Sequence, residues 1–257
     1  LGLDFGRLSV LRDINLELAR GQTLAVIGES GCGKTVLLKT IIGLLRPTRG
    51  AVYFDGRDLG RLSERELTGQ RVRFGFLFQQ AALFDSMSIA QNVAFPLRQH
   101  TSRSEQEIQE LVLAGLAEVG LPEEVAQKKP AELSGGMRKR VGLARALAME
   151  PEIILYDEPT TGLDPIMSDV INELIITTRQ RHPVTSVVVT HDMRTARKVA
   201  DRLVMLFPLS RLHGDEPQIL FDGTPQQIDT APDQRVSQFV RGEAGERLME
   251  LRQHSGS

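Results

Sequence analysis

GESGCGKT, residues 28 to 35, is the stretch whose reading decides the fold. It fits G-x-x-x-x-G-K-[ST] at every position, and its flanks matter as much as the motif. Before it runs LAVIG, residues 24 to 28, a short continuous apolar segment of the kind that forms a buried parallel strand. After it, Lys34 to Leu45 reads as a helix stopped by Pro47. Strand, glycine loop and helix together make a phosphate cradle. Gly28, Gly31 and Gly33 let the backbone curl so that its N–H groups face phosphate oxygens. Glu29, Ser30 and Cys32 occupy the intervening positions of the nucleotide-binding loop. Lys34 neutralises the outer phosphates, and Thr35 offers its hydroxyl to Mg²⁺. Cys32, close to Lys34 and to a helix N-terminus, reads either as a thiol of lowered pKa that reacts with thiol reagents or as an inert small residue filling a variable loop position.

Working outward, AVYFDG (51 to 56) is a predicted strand ending in an Asp-Gly turn, and FGFLFQ (74 to 79) is another strand. Residues 8 to 18, LSVLRDINLEL, alternate as a strand does and form an N-terminal antiparallel β part. From about 88 to 149 the apolar spacing becomes helical, which predicts a helical lobe inserted into the core. PEIILYDEP (151 to 159) and TSVVVTHD (185 to 192) return to buried strands, and the helix Ile166 to Arg179 between them makes a crossover unit. The expected architecture is α/β: one nucleotide-binding domain over 1 to 240 with a mostly parallel sheet, then a polar tail over 241 to 257. In that tail ERLMELRQH could form a short amphipathic helix.

Composition narrows the classes. A net charge of -2 over 257 residues gives no basic field, which argues against nucleic acid as a partner. The densest basic cluster, MRKR, is expected to be a solvated face. One cysteine excludes an internal disulfide framework. The longest apolar runs (IIGLL, IIL, SVVV) fall far short of the roughly 20 residues of a spanning helix, so a membrane role is expected to come through a partner.

Chemistry-bearing residues collect at predicted strand ends. Asp157 closes a buried strand and suits the Mg²⁺ shell; Glu158 beside it suits the attacking water, as base or positioner. His191 follows the next apolar strand and can hydrogen-bond a terminal phosphate. Gln79, at the end of FGFLFQ, can sense Mg²⁺ or the water through its amide oxygen. A second phosphate-binding pattern stands at Ser134-Gly135-Gly136, ahead of the helical run MRKRVGLARALAME.

In this order, GESGCGKT, Gln79, LSGGM, ILYDEP, GLDP (162 to 165) and THD resemble the ATP-binding subunits of ABC transporters over nearly the whole chain. The resemblance implies ATP hydrolysis with ATP and Mg²⁺ as cofactors. It also explains the second loop: Ser134, Gly135, Gly136 and Met137 are expected to act in trans, on ATP held by the other subunit of a homodimer. Asp164 matches the aspartate that links the two half-sites, and Phe5 matches the position of a ring that stacks on adenine. Met137 departs from the usual glutamine, a change that backbone contacts to phosphate tolerate.

Within the family, residues 77 to 100, LSGGMRKR and DQRVSQFVRG (233 to 242) are most similar to the ATPases of Mla- and Mce-type lipid transport systems. That implies phospholipid or another envelope lipid as cargo and a lipid-binding Mce- or MlaD-type protein in the complex. It also implies a peripheral seat on the cytoplasmic face of the bacterial inner membrane. The implied permease contact is the apolar face of Leu83, Phe84, Met87 and Ile89. Transport of another substrate class, or a soluble ABC-type ATPase acting on nucleic acid or ribosomes, are the competing readings. The latter usually carry two ATP modules or a long coiled coil, and neither is evident here.

Overall fold

Strands that are apolar on both faces lie at the centre of the sheet. In the computed structural model, residues 1–244 are described. Every position of β3 (Thr23–Ile27) and β8 (Thr185–Thr190) is buried. So is all but the first residue of β7 (Ile153–Asp157) and β9 (Arg202–Leu206). With β6 (Phe74–Leu77) and β10 (Ile219–Gly223) they form a sheet of order β10-β9-β3-β8-β7-β6. Neighbours run parallel from β9 to β6, and β10 is antiparallel at the edge.

Alternation along each strand sorts the helices to the two faces. Leu24, Val26, Leu155 and Val187 pack with Leu37 and Leu38 of α1 (Lys34–Ile41). Ala25, Ile27 and Leu203 pack with Ala196 of α7 (Met193–Val199) and Val236 of α8 (Gln234–Arg241). Ile154, Tyr156 and Val188 meet Val141 and Ala144 of α5 (Gly135–Leu147) and Ile171 and Ile175 of α6 (Pro165–Arg181). Each fully buried aliphatic side chain contributes roughly 1.5–3 kcal/mol. Helix α2 (Glu64–Arg71) precedes β6, and between β6 and β7 the chain forms α3 (Ile89–His100), α4 (Glu105–Glu118) and α5. Ser88 and Ser104 open α3 and α4 with reciprocal capping boxes to Gln91 and Glu107.

Several boundaries differ from the expectation for physical reasons. The strand expected over 8 to 18 is formed only as β2 (Leu8–Leu11), paired antiparallel with β1 (Leu3–Phe5). Arg12 gives its backbone N–H to the Gln218 side chain, and Asp13 turns left-handed at φ 51°. Helix α1 ends four residues early. Gly43, at φ 71°, closes it as Leu44 N–H bonds Lys39 O (2.8 Å) and Gly43 N–H bonds Thr40 O (3.0 Å). The Asp55-Gly56 turn joins a short hairpin, β4 (Tyr53–Phe54) to β5 (Arg57–Asp58), with both turn residues at positive φ. Gly135 and Gly136 lie inside the first turn of α5. The stretch ERLMELRQH lies outside the described residues.

The inserted helices dock on the core at very close range. A Cβ on Gly75 of β6 would lie 2.7 Å from the carbonyl oxygen of Ala146 in α5. Backbone cannot yield there as a flexible side chain could. Gly75→Ala is therefore expected to destabilise the protein by about 1–3 kcal/mol, measured as a fall in the urea midpoint at unchanged slope.

Candidate active site

Parallel register brings the chemistry to one edge. Ile27 pairs with Thr190, and Asp157 with Val189, so β3, β8 and β7 end side by side. The glycine loop leaves β3, Asp157 and Glu158 leave β7, His191 follows β8, and Gln79 lies exposed in the turn after β6. Ligands gather at this edge of a parallel sheet.

The loop is built around its lysine. Gly28, Gly31 and Gly33 have φ of 146°, 84° and 101°. A Cβ on Gly28 would come within 2.2 Å of the Leu206 carbonyl oxygen, so no larger residue fits. Lys34 is buried, and its Nζ donates to the carbonyl oxygens of Gly28 (2.8 Å) and Glu29 (3.0 Å). No side chain caps α1, which leaves its first-turn N–H groups free for an anion. Ser30 and Gly31 are exposed at the rim, and Glu29 is paired with Arg211 at 2.6 Å.

Thr35 Oγ1 donates to Asp157 Oδ1 at 2.8 Å. Burial pushes the Asp157 carboxyl up, and the Thr35 hydroxyl opposes the shift. A hydroxyl and a carboxylate side by side fit a Mg²⁺ ion that completes its shell with phosphate and water. Among the described residues no group of three or more His, Cys, Asp or Glu forms a cage that could hold a metal unaided.

Glu158 is the most constrained residue of the set. It is buried and has a left-handed φ of 49°, although Pro159 follows it. Its Oε1 lies 3.9 Å from Lys34 Nζ. Its Oε2 lies 2.9 Å from His191 Nδ1 and accepts from Thr161 Oγ1 at 3.1 Å. Its carbonyl accepts from Lys139 Nζ at 2.9 Å. Burial lowers the Lys139 ammonium to about 8, against the opposing pull of the Glu158 and Asp157 charges. A carboxylate braced between a phosphate-loop lysine and a histidine can take a proton from water poised over a phosphate.

The other expected residues lie apart from this cluster. Ser134 is exposed and caps α5 by accepting from Met137 N–H at 3.3 Å. Gly135 is exposed, Gly136 is buried against Met167, and Met137 packs on the lobe core. Asp164 caps α6, accepting from Ile166 and Met167 N–H. Phe5 is 49% exposed on the hairpin whose β2 packs against Gly33.

Three expectations are corrected. Cys32 is 1% exposed, and burial raises its thiol pKa in spite of Lys34, so the thiol is protected rather than reactive. The basic cluster is not wholly a solvated face: Arg138 is exposed, but Lys139 is buried and Arg140 donates to the Gly120 carbonyl at 2.8 Å. In the segment 83 to 89, Ile89 belongs to the lobe core and Leu83 packs against it. Phe84 is exposed there, with Met87 half-buried. Asn92, buried, holds this turn by accepting from Phe84 N–H (2.7 Å) and donating to Phe84 O (3.1 Å).

Some participants carry no motif. Thr161 is a hydroxyl three residues beyond Glu158, a spacing that could have suggested it. Gln218 is not foreshadowed: its amide donates to the carbonyls of Val10 and Cys32, both 3.0 Å, pinning the loop to β2. Arg145 donates to the carbonyls of Ala81 (2.7 Å) and Ala82 (2.8 Å), both at positive φ, in the turn after Gln79.

Comparison with known proteins agrees with this arrangement. The ABC transporter family pattern matches residues 11–161. The chain is 43% identical, over 93% of its length, to the probable ribonucleotide transport ATP-binding protein mkl of Mycobacterium tuberculosis, and spans 64% of that relative. It is also 43% identical, over 90% of its length, to the intermembrane phospholipid transport system ATP-binding protein MlaF of Haemophilus influenzae, covering 84% of it. Among solved structures it resembles the dimeric post-hydrolysis state of the ATP-binding cassette MJ0796 bound to ADP and Pi. That match has a TM-score of 0.74 and 36% identity, and covers 80% of this chain and 90% of the other. By sequence pattern, relatives and fold, the chain belongs to the ABC transporter family.

Proposed function

We propose that this chain is an ATP-hydrolysing subunit that energises phospholipid transport through a separate membrane permease. The observation that carries the hydrolytic reading is the brace at Glu158, whose two carboxylate oxygens face Lys34 and His191. Residues 1 to 240 act as one nucleotide-binding domain. Bound Mg²⁺-ATP supplies an activated terminal phosphoryl group and a cation that neutralises its charge. Lys34 and the N–H groups of the loop hold the outer phosphates. Thr35, Asp157 and Gln79 would hold the cation. Glu158 orients the water and receives its proton, while His191 steadies Glu158 and faces the terminal phosphate. Phe5 offers its exposed ring to the base.

Two chains meet head to tail, so that Ser134, Gly135, Gly136 and Met137 of one close over the nucleotide of the other and Asp164 links the halves. The exposure of Ser134 and Gly135 supports this, as does the dimeric ATP-binding cassette that the chain resembles. The chain sits peripherally on the cytoplasmic face of the inner membrane. Among the described residues no helix is long and apolar enough to cross a membrane. The turn that presents Phe84 and Met87 is the permease contact, and a lipid-binding Mce- or MlaD-type protein completes the complex. Phospholipid cargo follows the MlaF relative, of which this chain covers the greater share.

Glu158→Gln is expected to lower ATP turnover by about 10²- to 10⁴-fold, roughly 3–5 kcal/mol, with nucleotide binding retained. Lys34→Ala should instead weaken nucleotide binding itself, read with a fluorescent ATP analogue. Cargo is tested by capturing Glu158→Gln with ATP from native membranes and identifying bound proteins and lipids by mass spectrometry. The expected recovery is a multi-spanning permease with enriched phospholipid. A permease with ribonucleotide or another cargo would remove the lipid assignment, and ribosomes or nucleic acid without membrane protein would remove transport.

A further inference from the structure

Lys139 is a buried ammonium that no part of the proposed mechanism uses. It is 5% exposed, and its single hydrogen bond goes to the carbonyl oxygen of Glu158, 2.9 Å away. Burying an ammonium is costly, and the nearby Glu158 and Asp157 charges, with one bond to a carbonyl, offset only part of that cost. The expense falls where the backbone is strained: Glu158 is non-glycine, left-handed and followed by proline.

Such a conformation persists only when its surroundings fix it, and here each contact can be named. Glu158 N–H is held by the Val189 carbonyl of β8 at 2.9 Å, and the carboxylate is held by Thr161 and His191. The carbonyl is held by Lys139, with Thr161 N–H assisting at 3.3 Å. Among these partners only Lys139 comes from the inserted helices. It lies on α5, five residues from the Ser134 cap.

We propose that Lys139 is a positioning residue: by gripping the Glu158 carbonyl it sets the direction of the Glu158 carboxylate and ties that direction to the placement of α5. The inference rests on Glu158 acting as the hydrolytic base. Any movement of α5 relative to the sheet then reaches the base directly, through one side chain. When Ser134 engages a nucleotide, the same helix that carries Ser134 holds the glutamate of its own chain in line.

The test combines Lys139→Met and Lys139→Arg with the parent and Glu158→Gln full-length chains. Turnover, KM for ATP, binding of a fluorescent ATP analogue and the unfolding midpoint are measured for each. Lys139→Met should lower kcat by about 10- to 100-fold, the scale of a misplaced catalytic group, with KM, nucleotide affinity and unfolding midpoint not impaired. Lys139→Arg keeps a cationic donor and should retain most of the turnover. In the Glu158→Gln background Lys139→Met should cost nothing further, because both changes act on one group. Parental turnover in Lys139→Met, or a loss that multiplies with that of Glu158→Gln, would overturn the proposal. If Lys139→Met does not fold, Lys139→Gln, polar but shorter, is read by the same criteria. Parental turnover in Glu158→Gln itself would instead remove the assignment of the base, and this inference with it.

Discussion

The parallel pairing of β3, β8, β7 and β6 is the constraint on which the rest depends. Strands that run the same way and stay in register finish together, so four separate segments of sequence deliver their next residues to a single edge. Lys34, Thr35, Asp157, Glu158 and His191 are up to 157 residues apart in the chain, yet hydrogen bonds or ion contacts of 2.8 to 3.9 Å join them. No loop has to travel to assemble the site. The price is paid in backbone freedom at Gly28 and Glu158, where the chain turns sharply as it leaves the sheet.

Around this edge the inserted helices act as a second frame. Helix α5 lies so close to β6 that Gly75 faces the Ala146 carbonyl, and its cations reach two strained places: Lys139 at Glu158, and Arg145 at Ala81 and Ala82. Both contacts are charge-assisted hydrogen bonds to carbonyls of left-handed, non-glycine residues. One rigid helix therefore connects the Ser134 cap, the residue that faces the phosphate loop, and the turn that leads to Phe84. Nucleotide closure and permease contact are joined in the proposed account through that helix rather than through a flexible linker.

Much of this was legible in the sequence because the relevant signals are local. A continuous apolar run followed by G-x-x-x-x-G-K-T fixes strand, loop and helix at once, and LYDE and VTHD are strand ends by the same logic. What stayed hidden depends on partners distant in sequence. Arg12 leaves the strand pattern because Gln218, 206 residues away, takes its N–H. Lys139 looks like one of three surface charges until α5 is set against β7, and Cys32 looks activated until burial is known. Ile89 and Phe84 are equally apolar in sequence, and only tertiary packing separates a core residue from an exposed one.

The most direct test is the structure of the Glu158→Gln protein with ATP and Mg²⁺, solved by electron microscopy with its permease. The account predicts two nucleotides between two chains, each on one phosphate loop, with Ser134 of the partner subunit hydrogen-bonded to the terminal phosphate. Residue 158 should face that phosphate, with its carbonyl still on Lys139. A nucleotide enclosed by a single chain, with Ser134 remote from every phosphate, would contradict it.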